Sequence, residues 1–540
     1  MNTKALRQKI LDLAIRGKLV PQDPNDEPAE VLLERIRKQK QQMLKEGKLK
    51  KKDIKNDTII FKGEDNLHYE KFQDGSVKCI EDEIPFELPE GWEWTRLKNI
   101  FNVCSSKRVL QSDWKTDGIP FYRAREIVKL SDNGFVNNEL FISEEHFISL
   151  SRDYGVPQPG DLMVSGVGTI GKVYIVKSND RFYYKDASVL CFENRTGAVH
   201  SEFARILLES SFIQAQMKDN SKGTTVDTIT ISAAMNYLCI LPPAYEQERI
   251  IQAVQNALVH VEKLQMEKEN LHTILSVAKS KILDLAIRGK LVPQDPNDEP
   301  ASVLLERIRT EKEELIKQGK IKRDKKESII FRGDDNSYYE KIGDEIRCID
   351  EELPFEIPDR WEWVRLENCC CKEIRRGKSP KYIEQSETLV FAQKCNTKYN
   401  GIDIGLAFYL DESTLNKYPE DEYMQDGDIV INSTGTGTLG RVGFYRATDN
   451  YKSLPIVPDS HVTVIRSSRE LHAFYLYAFM KANQSELEKK GEGSTNQKEL
   501  KPLTLKELYI PVPPYEEQLR IAVSINNAFS LISKLEKSLK

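Results

Sequence analysis

Two runs have the spacing of a dinucleotide-binding loop, G-x-G-x-x-G: Gly166, Gly168 and Gly171, and again Gly435, Gly437 and Gly440. A loop of that kind must deliver its phosphate to a helix N-terminus, where free amides and the dipole meet the charge. The residues that follow, KVYIV and RVGFYR, read as strands, so a glycine-rich link between strands is expected instead. Its lack of bulk would still let a phosphate backbone approach closely. Pro513, Pro514 and Tyr515 have the look of an amine-holding N-P-P-Y loop, but Val512 stands where an Asn or Asp would accept the hydrogen bond. In the matching Pro242, Pro243 and Ala244 that place is Leu241, so proline early in the first turn of a helix is the better reading. Asp459, Glu488 and Lys490 loosely suit a metal-dependent nuclease, yet they have no counterpart in the first half of the chain. Cys369, Cys370 and Cys371 lack the C-x-x-C or C…H spacing of a zinc site and read as small apolar filler. With no Ser/His/Asp or Cys/His arrangement among seven histidines, the residues point to a non-catalytic job.

The elements that must position these residues come in duplicate. KILDLAIRGKLVPQDPNDEPA runs from Lys9 to Ala29 and returns unchanged from Lys281 to Ala301. Further pairs follow: VLLERIR at Val31 and Val303, IIFKGEDNLHYEK from Ile59 beside IIFRGDDNSYYEK from Ile329, and KCIEDEIPFELPEGWEWTRL from Lys78 beside RCIDEELPFEIPDRWEWVRL from Arg347. From about Lys98 to Leu238, and from about Glu367 to Leu508, only landmarks survive. One is GDLMVSGVGTIGKV from Gly160 against GDIVINSTGTGTLGRV from Gly427; the other is ILPPAYEQERI from Ile240 against PVPPYEEQLRI from Pro511. A constant frame thus alternates with two variable blocks.

After each double proline the apolar residues take heptad spacing. Ile250, Val254, Ala257, Val261, Leu264, Leu271, Leu275, Ala278, Ile282 and Leu285 form one seam, with Lys268 its polar slot. Ile521, Ile525, Ala528, Ile532, Leu535 and Leu539 repeat it at the C-terminus, and Leu6, Ile10 and Leu13 resume the phase at the N-terminus. A long central helix therefore has a counterpart cut in two, and antiparallel pairing would relate the halves by a pseudo-two-fold axis. Inside the blocks, IPFYRAREI, DLMVSG, KVYIV, SVLCF, DIVIN, RVGFYR and HVTVIR read as strands beside helices such as SEFARILLESSFIQAQM and LHAFYLYAFMKANQSELEKK. The expected fold class is α+β: two mixed domains separated by two long antiparallel helices, a coiled-coil spacer. The boundaries are 1–91 for the first conserved region, 92–243 for the first block, 244–360 for the central region with its long helix, 361–514 for the second block and 515–540 for the last helix.

The repeated segment, the P-F-E-x-P-x-x-W-E-W opening, the G-T-[IL]-G landmark and the P-P-x-x-E-Q-x-R-I exit, in this order and twice over, resemble the specificity subunit of type I restriction-modification systems. The resemblance covers nearly the whole chain. It implies two target-recognition domains that each read one half of an asymmetric bipartite DNA site, with the helical rod setting the gap. It further implies two modification subunits that carry S-adenosylmethionine and methylate adenine, and two restriction subunits that translocate and cleave DNA with ATP and Mg. No cofactor or metal is expected on this chain itself.

Base reading calls for bidentate hydrogen bonds, Arg or Lys to guanine and Asn or Gln to adenine. On that chemistry the candidates in the first block are Lys107, Arg108, Arg123, Arg125 and Lys172. Arg123 and Arg125, in FYRAREI, are expected to share one strand face. In the second block they are Arg375, Arg376, Lys378, Gln393, Lys394, Lys398 and Arg441, with Gly377 permitting a tight turn in a basic loop. A formal net charge of −5 argues against a uniformly basic coat but leaves room for a local basic groove. The basic runs Lys45–Lys55 and Lys317–Lys326 could be solvated faces, hinges or DNA contacts. Without a signal peptide or a long apolar run, a cytosolic protein is expected. Two other readings stay open: an adaptor that joins two copies of one protein and never touches DNA, and a self-sufficient enzyme.

Overall fold

The computed structural model describes residues 2–221, 227–321, 323, 328–398, 401–435, 437–492 and 498–539, with the backbone alone at 52 and 53. The basic run 45–55 starts at the last residue of the helix Ala29–Lys45 and includes the short helix Lys51–Ile54, whereas residues 322 and 324–326 of the second run lie outside the described residues. The chain divides into two units, Met1–Lys268 and Glu269–Lys540, and the helix Ala244–Ile287 contributes to both. Among the described residues no helix is long and apolar enough to cross a membrane.

In the first unit the helix Thr3–Ile15, capped by the Asn2 side chain, lies antiparallel on the central helix: Thr3 bonds Gln265 at 2.6 Å and Arg7 bonds Glu262 at 3.1 Å. In the second, the helix Tyr515–Ser538 does the same, with Lys279 on Glu536 at 2.8 Å. The expected split pairing is therefore present within each unit. Ile250, Val254, Val261 and Leu275 of the seam are buried, but Leu264 and Leu271 are 37% and 38% exposed.

The frame is held by the residues that recur in it. The loop after Thr3–Ile15 brings Gln22 to Glu246, which also accepts the indole N–H of Trp92 at 2.8 Å, while Arg249 grips Asp26 through both guanidinium nitrogens. The second unit repeats every contact: Gln294 and Trp361 on Glu517, Arg520 on Asp298. Gln247 and Gln518 complete the E-Q-x-R pattern, each donating to a proline carbonyl and accepting the backbone N–H of His200 or His472. A buried carboxylate costs several kcal/mol unless it is fully bonded, which ties the loop, the tryptophan and the helix start to one another. Gly17 and Gly289 have left-handed φ of 64° and 67° with Pro89 or Pro358 packed where a Cβ would stand.

Each frame also carries a three-stranded antiparallel sheet that hydrophobic patterning did not reveal, Ile59–Lys62, His68–Lys71 and Val77–Cys79, then Ser328–Arg332, Tyr338–Ile342 and Glu345–Cys348. Each variable block is closed off by a strand pair, Glu93–Arg96 with Leu238–Leu241 and Glu362–Arg365 with Tyr509–Val512.

Inside the blocks one sheet is shared. Its order is Asn102–Cys104, Val189–Glu193, Leu162–Ser165, Val173–Ile175 in the first and Arg375–Arg376, Val462–Ile465, Ile429–Asn432, Val442–Phe444 in the second, antiparallel throughout. The glycine-rich links join its last two strands, as expected. The second sheet is where the blocks part. In the first block Ile119–Tyr122 pairs in parallel with Tyr183–Tyr184 and antiparallel with Phe141–Ile142. In the second, Leu389–Phe391 pairs in parallel with Ile456–Pro458, and Phe408–Leu410 and Tyr382–Ile383 extend the sheet.

Candidate nucleic-acid interface

In the first block Arg123 and Arg125 do not share a strand. The strand stops at Tyr122, Arg123 is the N-cap of the helix Ala124–Asn133, and Arg125 lies in its first turn. The reason is Glu126, three residues after the cap, whose carboxylate reaches back to accept the Arg123 backbone N–H at 2.9 Å and so satisfies a donor at the helix start. The same carboxylate, 1% exposed, takes two guanidinium bonds from Arg123 at 3.1 and 2.9 Å and one from Arg125 Nε at 2.5 Å. Burial raises the Glu126 carboxyl, and the bonds from both arginines outweigh it, leaving the group below its ordinary range. Arg125, 49% exposed, bridges onward to Glu139 at the surface. Lys172, on the glycine-rich link, reaches the far end of the same helix, where it meets Asp132 at 2.5 Å. One helix thus gathers three of the five expected cations. Lys107 and Arg108 are exposed on a separate loop, with Lys107 5.3 Å above the Tyr154 ring and its amide bonded to the Tyr183 hydroxyl.

In the second block the expected tight turn at Gly377 is a strand edge. Arg375–Arg376 pairs with Val464 and Thr463, and the Gly377 N–H continues to the Val462 carbonyl at 3.0 Å. A Cβ at Gly377 would stand 2.2 Å from the Pro458 carbonyl oxygen and 2.5 Å from that of Asp459. Glycine is required here by a close backbone approach rather than by a left-handed turn. Neighbours on a strand face opposite ways. Arg375 meets the buried Glu422 at 2.7 Å, with Asp421 at 3.3 Å and Glu373 at 3.4 Å, whereas Arg376 pairs with Glu499. Glu422 also holds the buried Lys372 at 3.2 Å, and Lys378 approaches it at 4.0 Å.

Gln393 and Lys394 leave the strand Leu389–Phe391, the place from which Arg123 and Arg125 leave Ile119–Tyr122 in the other block. The Lys394 ammonium sits 3.4 Å from the centroid of Phe408, which packs on Tyr382 with centroids 4.7 Å apart, and both rings are exposed. Lys398 is exposed beyond them. Arg441 has a bracing job: its guanidinium donates to the carbonyls of Asn396 at 2.8 Å and Gly437 at 3.1 Å, fixing the glycine-rich link.

Sequence reasoning missed Glu126 and Glu422, the buried carboxylates that orient the arginines, and the Tyr382–Phe408 pair. Only Glu126 had a local signal, its place three residues after Arg123, from which a carboxylate can reach back to a helix-start N–H. Among the described residues no three His, Cys, Asp or Glu side chains are grouped to hold a metal ion, and burial raises the Cys369 and Cys370 thiols, which keeps them unreactive. The arrangement offers fixed guanidinium, amide, ammonium and aromatic groups on two different surfaces.

Known proteins share this organisation. The family model for the type I restriction modification DNA specificity domain matches residues 89–270 and 358–540. The type I restriction enzyme EcoEI specificity subunit of Escherichia coli is 26% identical over 605 aligned residues, spanning 99% of this chain and 91% of that protein. The EcoAI specificity subunit of the same species is 30% identical over 430 residues, 67% of this chain and 62% of that one. In a solved structure on complex assembly and conformational transition of the type I R-M system, one chain matches with a TM-score of 0.52 at 18% identity, over 84% of this chain and 94% of that chain, and so shares the fold. With the family match spanning both halves and more than half of its length, the chain belongs to the type I restriction modification DNA specificity family.

Proposed function

We propose that this chain is the DNA-reading subunit of a type I restriction-modification complex, each block reading one half of an asymmetric bipartite site. The observation that carries the reading is a constant frame and a shared sheet holding unlike readers at one topological place. Arg-Ala-Arg leaves the strand in the first block, chemistry suited to guanine, and Gln-Lys leaves it in the second, where the amide suits adenine. Lys107, Arg108 and Lys172 in the first block and Arg375, Arg376, Lys378 and Lys398 in the second supply further base or phosphate contacts. Catalysis falls to partners. Two modification subunits bearing S-adenosylmethionine dock on the duplicated frame, whose matching locks suit one protein bound twice, and two restriction subunits supply ATP- and Mg-dependent cleavage. Replacing residues 98–238 with the block of a relative and mapping methylated adenines tests the assignment. One half-site changes and the other persists; if both survive unaltered, the reading fails.

A DNA-blind adaptor is the competing reading. It draws on the pairing of Arg123, Arg125, Lys172, Arg375 and Arg376 with carboxylates of the chain itself. DNA binding that weakens steeply with salt and prefers one sequence decides against it.

A further inference from the structure

The pairing has a pattern. In each block one arginine bridges a buried glutamate and a surface carboxylate: Arg125 lies between Glu126 and Glu139, and Arg375 between Glu422 and Asp421. Glu126 and Glu422 are 1% and 2% exposed and fix where the guanidinium points. Glu139 and Asp421 stand in solvent, as does Glu499 beside Arg376. We infer that these surface carboxylates are built-in counter-ions that occupy the DNA-facing cations of the free chain, must be displaced by DNA, and thereby suppress binding to non-target sequence. The inference rests on the proposed DNA-reading role of Arg125, Arg375 and Arg376.

The physics follows from what each type of DNA offers. Non-target duplex attracts a protein through phosphate charge alone, by release of condensed counter-ions. A guanidinium already neutralised by Glu139 or Glu499 releases little, because it must first give up its own partner. A target site adds base-edge hydrogen bonds, which a carboxylate does not imitate. The surface carboxylates therefore lower non-target affinity more than target affinity. The buried ones keep the guanidinium in place during the exchange, since Glu126 retains its bonds to Arg123 and to the helix N-terminus when Glu139 is displaced. The acidic overall balance, 84 Asp and Glu against 79 Lys and Arg, fits a reader whose cations are covered until they meet the right partner.

The test uses the full chain assembled with its modification subunit. Binding is measured over a salt series to a duplex bearing the site found by methylated-adenine mapping and to a scrambled duplex. The variants Glu139→Gln, Asp421→Asn and Glu499→Gln remove one charge each at the surface and leave Glu126 and Glu422 untouched. Glu145→Gln and Glu384→Gln remove the same charge from exposed positions outside these pairs. The counter-ion variants are expected to tighten scrambled-duplex binding by about 3- to 10-fold, to steepen its salt slope by about one, and to narrow the target preference, while the controls shift by less than about 2-fold. If the three variants behave as the controls do while Arg125→Ala and Arg376→Ala weaken target binding, the counter-ion role is overturned and the DNA-reading role stands. If the arginine variants also leave binding unchanged, both fall together.

Discussion

Gly377→Ala tests whether the second block depends on a close backbone approach. The φ of Gly377 is not left-handed, so the backbone itself admits alanine. The obstacle is steric: the added carbon would stand 2.2 and 2.5 Å from two carbonyl oxygens, where a carbon and an oxygen ordinarily rest about 3.3 Å apart or more. The two segments must part by about 1 Å, which stretches the 3.0 Å bond from Gly377 N–H to the Val462 carbonyl beyond hydrogen-bond range and breaks the bridge between Lys378 and Asp459. Two weakened backbone bonds at about 1 kcal/mol each, together with about 1–3 kcal/mol for overpacking, give an expected loss of about 3–5 kcal/mol. Hydrogen exchange at the amides of Ile429–Asn432 and Val462–Ile465 reads this locally, and urea unfolding reads it globally. Because Arg375, Arg376 and Lys378 flank the glycine, the complex should also lose discrimination at the second half-site while keeping the first. A gain in stability, the about 0.4–1 kcal/mol that alanine brings at a merely flexible glycine, or a loss below about 1 kcal/mol refutes the close-approach account.

Three further outcomes follow from the same geometry. Glu246→Ala strands the buried Trp92 indole N–H, while the exposed Gln22 amide keeps the Gly17 carbonyl, and should cost about 1–3 kcal/mol, with Glu517→Ala matching it in the second unit; thermal unfolding of both variants measures this. Glu340 is pushed up by burial, but Arg365 and Arg347 more than offset this and hold its carboxyl at about 2 against an ordinary 4.5. Its folded pKa being the lower one, the stability it contributes is complete above pH 4.5 and drains as pH falls toward 2, so urea midpoints of the protein and of Glu340→Gln should converge across that window. Arg441→Ala should cost about 1–2 kcal/mol by freeing the Asn396 and Gly437 carbonyls, without changing the salt slope of DNA binding; a reduced slope would make it a phosphate contact after all.

The frame was legible because its physics is local and duplicated. Heptad spacing and the E-Q-x-R pattern recur, and the helices Ala244–Ile287 and Tyr515–Ser538 follow from them. The glycine-rich links were legible too, since a strand after the third glycine excludes a phosphate-binding helix. The candidate site was legible in residue type but not in placement. IPFYRAREI has the apolar alternation of a strand, and only Glu126, three residues after Arg123 and bonded to its backbone N–H, marks where it turns into a helix. Gly377 looked like a turn residue because nothing nearby in sequence reveals that Pro458 and Asp459 will press against it. The ion pairs were invisible for the same reason: Glu422 and Glu499 lie far along the chain from Arg375 and Arg376, and only the sheet that joins Arg375–Arg376 to Val462–Ile465 brings such partners together. Sequence chemistry can thus nominate a guanidinium as a reader. Whether it is free to read is set by the carboxylates that tertiary structure places against it, and the two blocks, unlike in their second sheets, solve that placement with different residues in the same two layers, a buried glutamate beneath and a surface acid above.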